Sequence, residues 1–187
     1  ADEMPLRVDE LLPGLKVWVS TFHRFCAHLM RRWAPMVGLE SNYTILDTGD
    51  QRTLLRRVIK DLDFDTTTYS PEGIGSMISR AKNDLITPQR WQAKYEYEVG
   101  NHLQAVVGKV YPEYQKRLIE ANGVEFDDLL LHVATLLDEN TELARGLGER
   151  YQFVMVDEFQ DTNLAQYQIV AAIAHEHRNL CVTGDPD

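Results

Sequence analysis

Cysteine is scarce in this chain: two residues in 187, Cys26 and Cys181. That excludes a disulfide scaffold, and their separation excludes a cysteine-based metal site. Cys26 falls on an apolar helical stripe and Cys181 in an apolar run, so both read as buried thiols of a reducing, cytoplasmic compartment. No run of 18 apolar residues occurs, so no membrane-spanning helix is expected. The opening Ala1-Asp2-Glu3-Met4-Pro5 has no basic region followed by an apolar one and does not read as a signal peptide. There is no H-E-x-x-H, no Cys/His cluster, no internal repeat and no low-complexity tract. What remains is ordinary for a globular protein: 44% apolar and 26% charged residues, in a length that suits one domain or two small ones.

The net charge of −10 is unevenly placed. Residues 22–60 carry seven Lys/Arg against three Asp/Glu, and residues 78–95 carry four against one. Residues 111–161 reverse this, with four basic against twelve acidic. A basic front and an acidic back suit a polyanion track beside a metal or nucleotide site, but charge alone favours solvated helix faces. Arg31, Arg32, Arg52, Arg56, Arg57, Arg80, Lys82 and Arg90 are read individually as solvated charges.

Hydrophobic periodicity gives the layout. Residues 15–20 alternate as a short strand. Thr21 then caps a helix with Phe22, Phe25, Cys26, Leu29, Met30 and Trp33 on one face, ended at Ala34-Pro35. Residues 50–62 form a second amphipathic helix, and residues 63–69 a polar loop. Ser70-Pro71-Glu72 starts a third helix: a capping hydroxyl, proline at the first helical position, then an acid. A helical pattern over 89–121, interrupted at Gly100 and Pro112, stops at Asn122-Gly123. Its tyrosines, Tyr95, Tyr97, Tyr111 and Tyr114, read as helix–helix core. Residues 126–137 form another helix, with Asp127 and Asp128 as structural acids at its positive end. Gly146 and Gly148 punctuate. Residues 152–156 read as a buried parallel strand, 157–161 as an acidic turn, Thr162 or Asn163 as a helix cap, and 179–183 as a second strand. The expected fold is α/β at both ends, with an all-helical insertion at about 35–122.

The chemistry concentrates at residues 157–161. Carboxylates at the C-terminal tip of a parallel strand sit where open α/β sheets bind ligands. Asp157 can hold Mg²⁺, Glu158 can orient and deprotonate a water, and Gln160 can sense a phosphate. A bare Asp-Glu pair is equally consistent with a polar turn in which Asp161 caps a helix.

The sequence Val-Asp-Glu-Phe-Gln-Asp-Thr-Asn at 156–163 closely resembles motif II (Walker B) of the UvrD/Rep/PcrA-type superfamily 1 DNA helicases. Val182-Thr183-Gly184-Asp185-Pro186-Asp187 resembles the opening of their motif III, and Val19-Ser20-Thr21-Phe22-His23-Arg24-Phe25-Cys26 their Thr-Phe-His motif. Shorter phrases at 45–47, 81–86 and 126–129 also match, in order along the chain. The resemblance implies a partial RecA-like (P-loop NTPase) parallel sheet, with residues 1–34 and 123–187 in domain 1A and 35–122 as helical domain 1B. It implies ATP and Mg²⁺ as cofactors, with Asp157 on the metal and Glu158 as general base. Gln160 and Asp185 would lie at the nucleotide, and Thr21, Phe22 and His23 on single-stranded DNA near single/double-strand junctions. Thr21 at a helix N-terminus suits a phosphate, His23 lies off the apolar stripe, and Phe22 opens that stripe and is expected to pack.

No G-x-x-x-x-G-K-[ST] loop occurs in the 187 residues. The chain therefore reads as a piece of a longer helicase, inactive alone, whose uncovered sheet invites self-association. Two other readings stay open: a subunit of a recombination helicase–nuclease, or a non-enzymatic DNA-binding or interaction module. A metal-dependent hydrolase would need more ligands than Asp157, Glu158 and Asp161.

Overall fold

The computed structural model describes residues 3–11, 13–14, 17–95 and 102–185. After α1 (Glu3–Leu11) comes α2 (Phe22–Trp33), which starts where the sequence indicates: the Thr21 hydroxyl accepts from the Arg24 N–H at 3.3 Å. A 3₁₀ turn over Ala34–Val37 follows, closed by Gly38 in the left-handed region at φ 79°. The expected strand at 15–20 is not formed over its described residues 17–20, and Leu15 and Lys16 lie outside the description. No strand pairs there; instead Trp18 is held by rings, with Phe25, His28 and Tyr151 at centroid distances of 5.4, 4.9 and 5.8 Å.

The chain then passes through β1 (Thr44–Ile45) into α3 (Thr48–Asp61), α4 (Pro71–Asn83), α5 (Pro88–Tyr95) and α6 (His102–Glu120), and returns through β2 (Gly123–Val124). β1 and β2 pair in parallel, Thr44 opposite Gly123. A Cβ at Gly123 would lie 2.6 Å from Leu46 Cδ1, so glycine allows this closure. Ser70 caps α4 as expected, accepting from the Gly73 N–H at 3.1 Å. Pro112, expected as a break, sits inside α6. It denies the Gly108 carbonyl its helical donor, and Gln92 Nε2 supplies one at 3.1 Å. Gly100 and Tyr97 lie outside the described residues.

The last third is α7 (Phe126–Glu139), α8 (Thr141–Arg150), β3 (Val154–Val156), α9 (Leu164–Ala174) and β4 (Leu180–Val182). Gly146 and Gly148, expected as breaks, lie within α8. A Cβ on Gly148 would come 2.9 Å from the Ile173 carbonyl oxygen, so this glycine serves the close approach of α8 and α9. β3 and β4 pair in parallel, Val154 opposite Leu180. They are not the buried strands expected: Val156 is buried, but Met155 is 77% and Val182 44% exposed. Cys181 is exposed with them, against the buried thiol expected. Among the described residues the pair has no further sheet neighbour, so its outer edges are unpaired, and the face that carries Met155 and Cys181 is exposed.

Buried side chains form two cores. The first joins α2 with α7, α8 and α9 through residues such as Cys26, Met30, Leu129, Val133 and Ile169. The second lies within α3–α6, around Ile59, Ile78, Val107, Tyr111 and Tyr114. α4 packs against α3 and α6 on one side and against α7 and α9 on the other, joining the two. Among the described residues no helix is long and apolar enough to cross a membrane.

Candidate nucleotide and strand sites

The tip of β3 is tied to the end of β4. Thr183 N–H donates to the Val156 carbonyl and Phe159 N–H to the Thr183 carbonyl, both at 2.9 Å. Between them Asp157 Oδ1 accepts from the Thr183 hydroxyl at 2.6 Å. Glu158 follows in the left-handed region at φ 52°, ψ 44°, a conformation that costs a non-glycine residue roughly 1–3 kcal/mol. The chain turns sharply here into a 3₁₀ turn over Phe159–Asp161.

Gln160 closes the cluster. Its Nε2 donates to Glu158 Oε2 at 2.6 Å, and its Oε1 accepts from the Asp185 N–H at 3.1 Å. Gly184 makes room for it: a Cβ there would stand 2.5 Å from Gln160 Oε1. Asp157, Glu158, Gln160 and Asp185, all singled out from sequence, are thus brought together, and their carboxylates and amide are solvent-accessible. Thr183 and Gly184 stood in the motif III phrase but were given no role from sequence; the parallel pairing of the two runs is what brings them to Asp157 and Gln160.

The helix after the turn is capped by Asn163, not Asp161. Asn163 Oδ1 accepts from the Gln166 N–H at 2.9 Å, and Gln166 Oε1 from the Asn163 N–H at 3.1 Å.

No cluster of three or more His, Cys, Asp or Glu among the described residues could enclose a metal. One accessible carboxylate braced by a hydroxyl fits Mg²⁺, which is typically held by one or two carboxylates together with substrate phosphates.

The second group lies at the start of α2. The Thr21 hydroxyl is engaged in capping its own helix. Phe22 packs partly buried against the first core, as expected. His23 is half-buried, its ring edge-on to Phe126 with centroids 5.6 Å apart. Burial lowers the His23 pKa, with Asp127 pulling the other way, and so favours the neutral ring. Phe126, 53% exposed beside His23, was not singled out from sequence. No hydrogen bond or ring contact among the described residues joins residues 21–23 directly to the 157–185 cluster.

A third polar cluster is buried. Lys82 was expected to be solvated and is fully buried, ion-paired with Glu125 and, at 2.7 Å, with Asp128. Its place on the apolar face of α4, in register with Ile74, Ile78 and Ala81, was the available signal. Tyr114 donates to Glu125 Oε2 at 2.8 Å and Gln115 to Asp128 Oδ1 at 3.0 Å. Asp128 is structural, as expected.

The family model of the UvrD/REP helicase N-terminal domain matches residues 1–187. The chain belongs to that family. It is 38% identical over 189 residues to the ATP-dependent DNA helicase PcrA of Bacillus subtilis and 40% over 190 residues to that of Leuconostoc citreum. A third PcrA, from Staphylococcus aureus, is 36% identical over 189 residues. In each case the match covers 100% of this chain and 25% of the relative. This UvrD/REP-family chain therefore spans about a quarter of the length of the curated relatives it matches.

Proposed function

We propose that this chain is the N-terminal-domain portion of a cytoplasmic ATP-dependent DNA helicase that couples ATP hydrolysis to movement on single-stranded DNA and to duplex unwinding. One observation carries the reading: the hydrogen-bonded cluster of Asp157, Glu158 and Gln160 with Thr183 and Asp185 at the tip of a parallel strand pair. That arrangement, in this family, supports a nucleotide site whose acidic half the chain supplies.

Asp157, oriented by Thr183, would hold the metal. A Mg²⁺ held there would supply positive charge that offsets the charge of the nucleotide phosphates. Glu158 acts as general base toward the attacking water. Gln160 holds the Glu158 carboxylate with one end and the Asp185 backbone with the other. A phosphate that engages the Gln160 amide therefore frees Glu158 to take a proton from water.

The strand site is Thr21, Phe22 and His23, on single-stranded DNA near a junction. A neutral His23 offers hydrogen bonds rather than a charge, and exposed Phe126 beside it offers an apolar face. Residues 1–34 and 123–187 form the RecA-like body, and 35–122 its helical insertion. The separate second core between β1 and β2 supports that division.

ATP turnover by the full-length protein, with and without single-stranded DNA, tests the reading. Stimulation by DNA, lost in Glu158→Gln, is expected, with only background turnover from the 187-residue chain alone. A full-length protein without DNA-stimulated turnover would overturn the assignment.

A further inference from the structure

The side chains that bridge the two candidate sites belong to neither. Asn83, the last residue of α4, bonds in two directions. Its Oδ1 accepts from Asn163 Nδ2, and Asn163 caps α9 directly after the 157–161 turn. Its Nδ2 donates to Asp127 Oδ1 at 3.1 Å and to the Ser79 carbonyl at 2.9 Å. Asp127 Oδ2 accepts from the Ser79 hydroxyl at 2.5 Å. Asp127 lies in the first turn of α7 next to Phe126, whose ring meets His23.

The direction of each bond is fixed by its neighbours. Asn163 must turn its Oδ1 to the Gln166 N–H, which presents its Nδ2 to Asn83. Asn83 must answer with oxygen, which leaves its own Nδ2 for the Asp127 carboxylate. Only a side chain with an acceptor on one side and a donor on the other satisfies both partners. Aspartate, of the same shape, would keep the bond to Asn163 and set two carboxylates against each other at Asp127.

We propose that Asn83 is a positioning residue that couples nucleotide binding at Asp157–Asp185 to strand binding at Thr21–His23, by locking the N-termini of α9 and α7 to the end of α4. The proposal rests on the site readings given above. A shift of the 157–161 turn on nucleotide binding moves the α9 cap, and the Asn83 bonds carry that to the α7 terminus that bears Phe126 against His23. Coupling of this kind is reciprocal: each ligand changes the other's affinity by the same factor.

The test uses the full-length protein, a fluorescent oligothymidylate and a non-hydrolysable ATP analogue. Each dissociation constant is measured with and without the other ligand. In Asn83→Ala and Asn83→Asp, both coupling factors are expected to fall together toward one, by roughly three- to thirtyfold. Affinity for each ligand alone should stay within about twofold of the parent, a change too small to count as loss of a direct contact. Adding Asp127→Asn to Asn83→Asp restores a donor opposite the new carboxylate and should restore the coupling. Loss of stability alone would not give that reversal. Unchanged coupling in both single variants overturns the proposal, as does a double variant that folds but stays uncoupled, or a parent whose coupling factor is one. Should Asp157→Ala bind the analogue and turn over ATP as the parent does, the nucleotide-site reading fails instead.

Discussion

Replacing Lys82 by Met removes one ammonium and keeps a side chain of similar length. Lys82 and Asp128 are fully buried and Glu125 nearly so, and the ammonium is the cation both carboxylates share. Burial pulls the Lys82 pKa down, but Asp128 and Glu125 outweigh it and hold it above the ordinary value. A group with a raised pKa of this kind contributes stability that is complete below its ordinary 10.5 and lost only as pH rises through the folded value. At neutral pH the parent therefore has the full contribution. Breaking a buried pair by removing one partner costs about 3–5 kcal/mol, because the other charge is left uncompensated. For a chain of this length each kcal/mol lowers the thermal midpoint by about 2–4 °C, so the expected fall is roughly 6–20 °C. Far-UV circular dichroism during heating and urea titration reads it. The orphaned carboxylates can recover by taking up protons, and burial already raises Glu125 in the parent. The gap between Lys82→Met and parent should therefore narrow as pH falls from about 8 to about 5. A loss below about 1 kcal/mol at neutral pH, or a gap that does not narrow, would refute this account of the cluster.

The two thiols should separate cleanly. Burial pushes Cys26 up to about 12, whereas Cys181 is exposed, so a thiol reagent should label one cysteine per folded chain quickly and the second only after denaturation; two fast equivalents would contradict the burial of Cys26. The isolated 187-residue chain should self-associate through the uncovered face that carries Met155 and Cys181, and Met155→Glu should reduce it. Light scattering showing a monomer at high concentration for the unaltered chain would count against that face.

Local chemistry was the most legible part of the fold. Thr21 and Ser70 cap the helices their sequences mark, because capping depends on one hydroxyl and the next three residues. The 157–161 turn and the strands on either side were legible for the same reason. What sequence could not show depends on distant partners. Pro112 reads as a helix break until Gln92, from another helix, satisfies the Gly108 carbonyl. Gly148 reads as punctuation until the Ile173 carbonyl is seen where its Cβ would stand. Lys82 reads as solvated because its two carboxylates lie more than forty residues away. Asn83 was legible only as part of the 81–86 phrase, with no role attached, since each of its bonds is unremarkable alone and only their common geometry is informative. Met155 and Cys181 were expected to be buried because apolar parallel strands usually are, but the face of the strand pair that they share is exposed.

Glu158 bears the central claim most directly. In the full-length protein, ATP hydrolysis in a single turnover with saturating single-stranded DNA should slow by about 10²–10⁴-fold in Glu158→Gln, the range a general base contributes, while nucleotide affinity holds. Hydrolysis at the parental rate would contradict the claim that the carboxylate held by Gln160 at the tip of β3 activates the water.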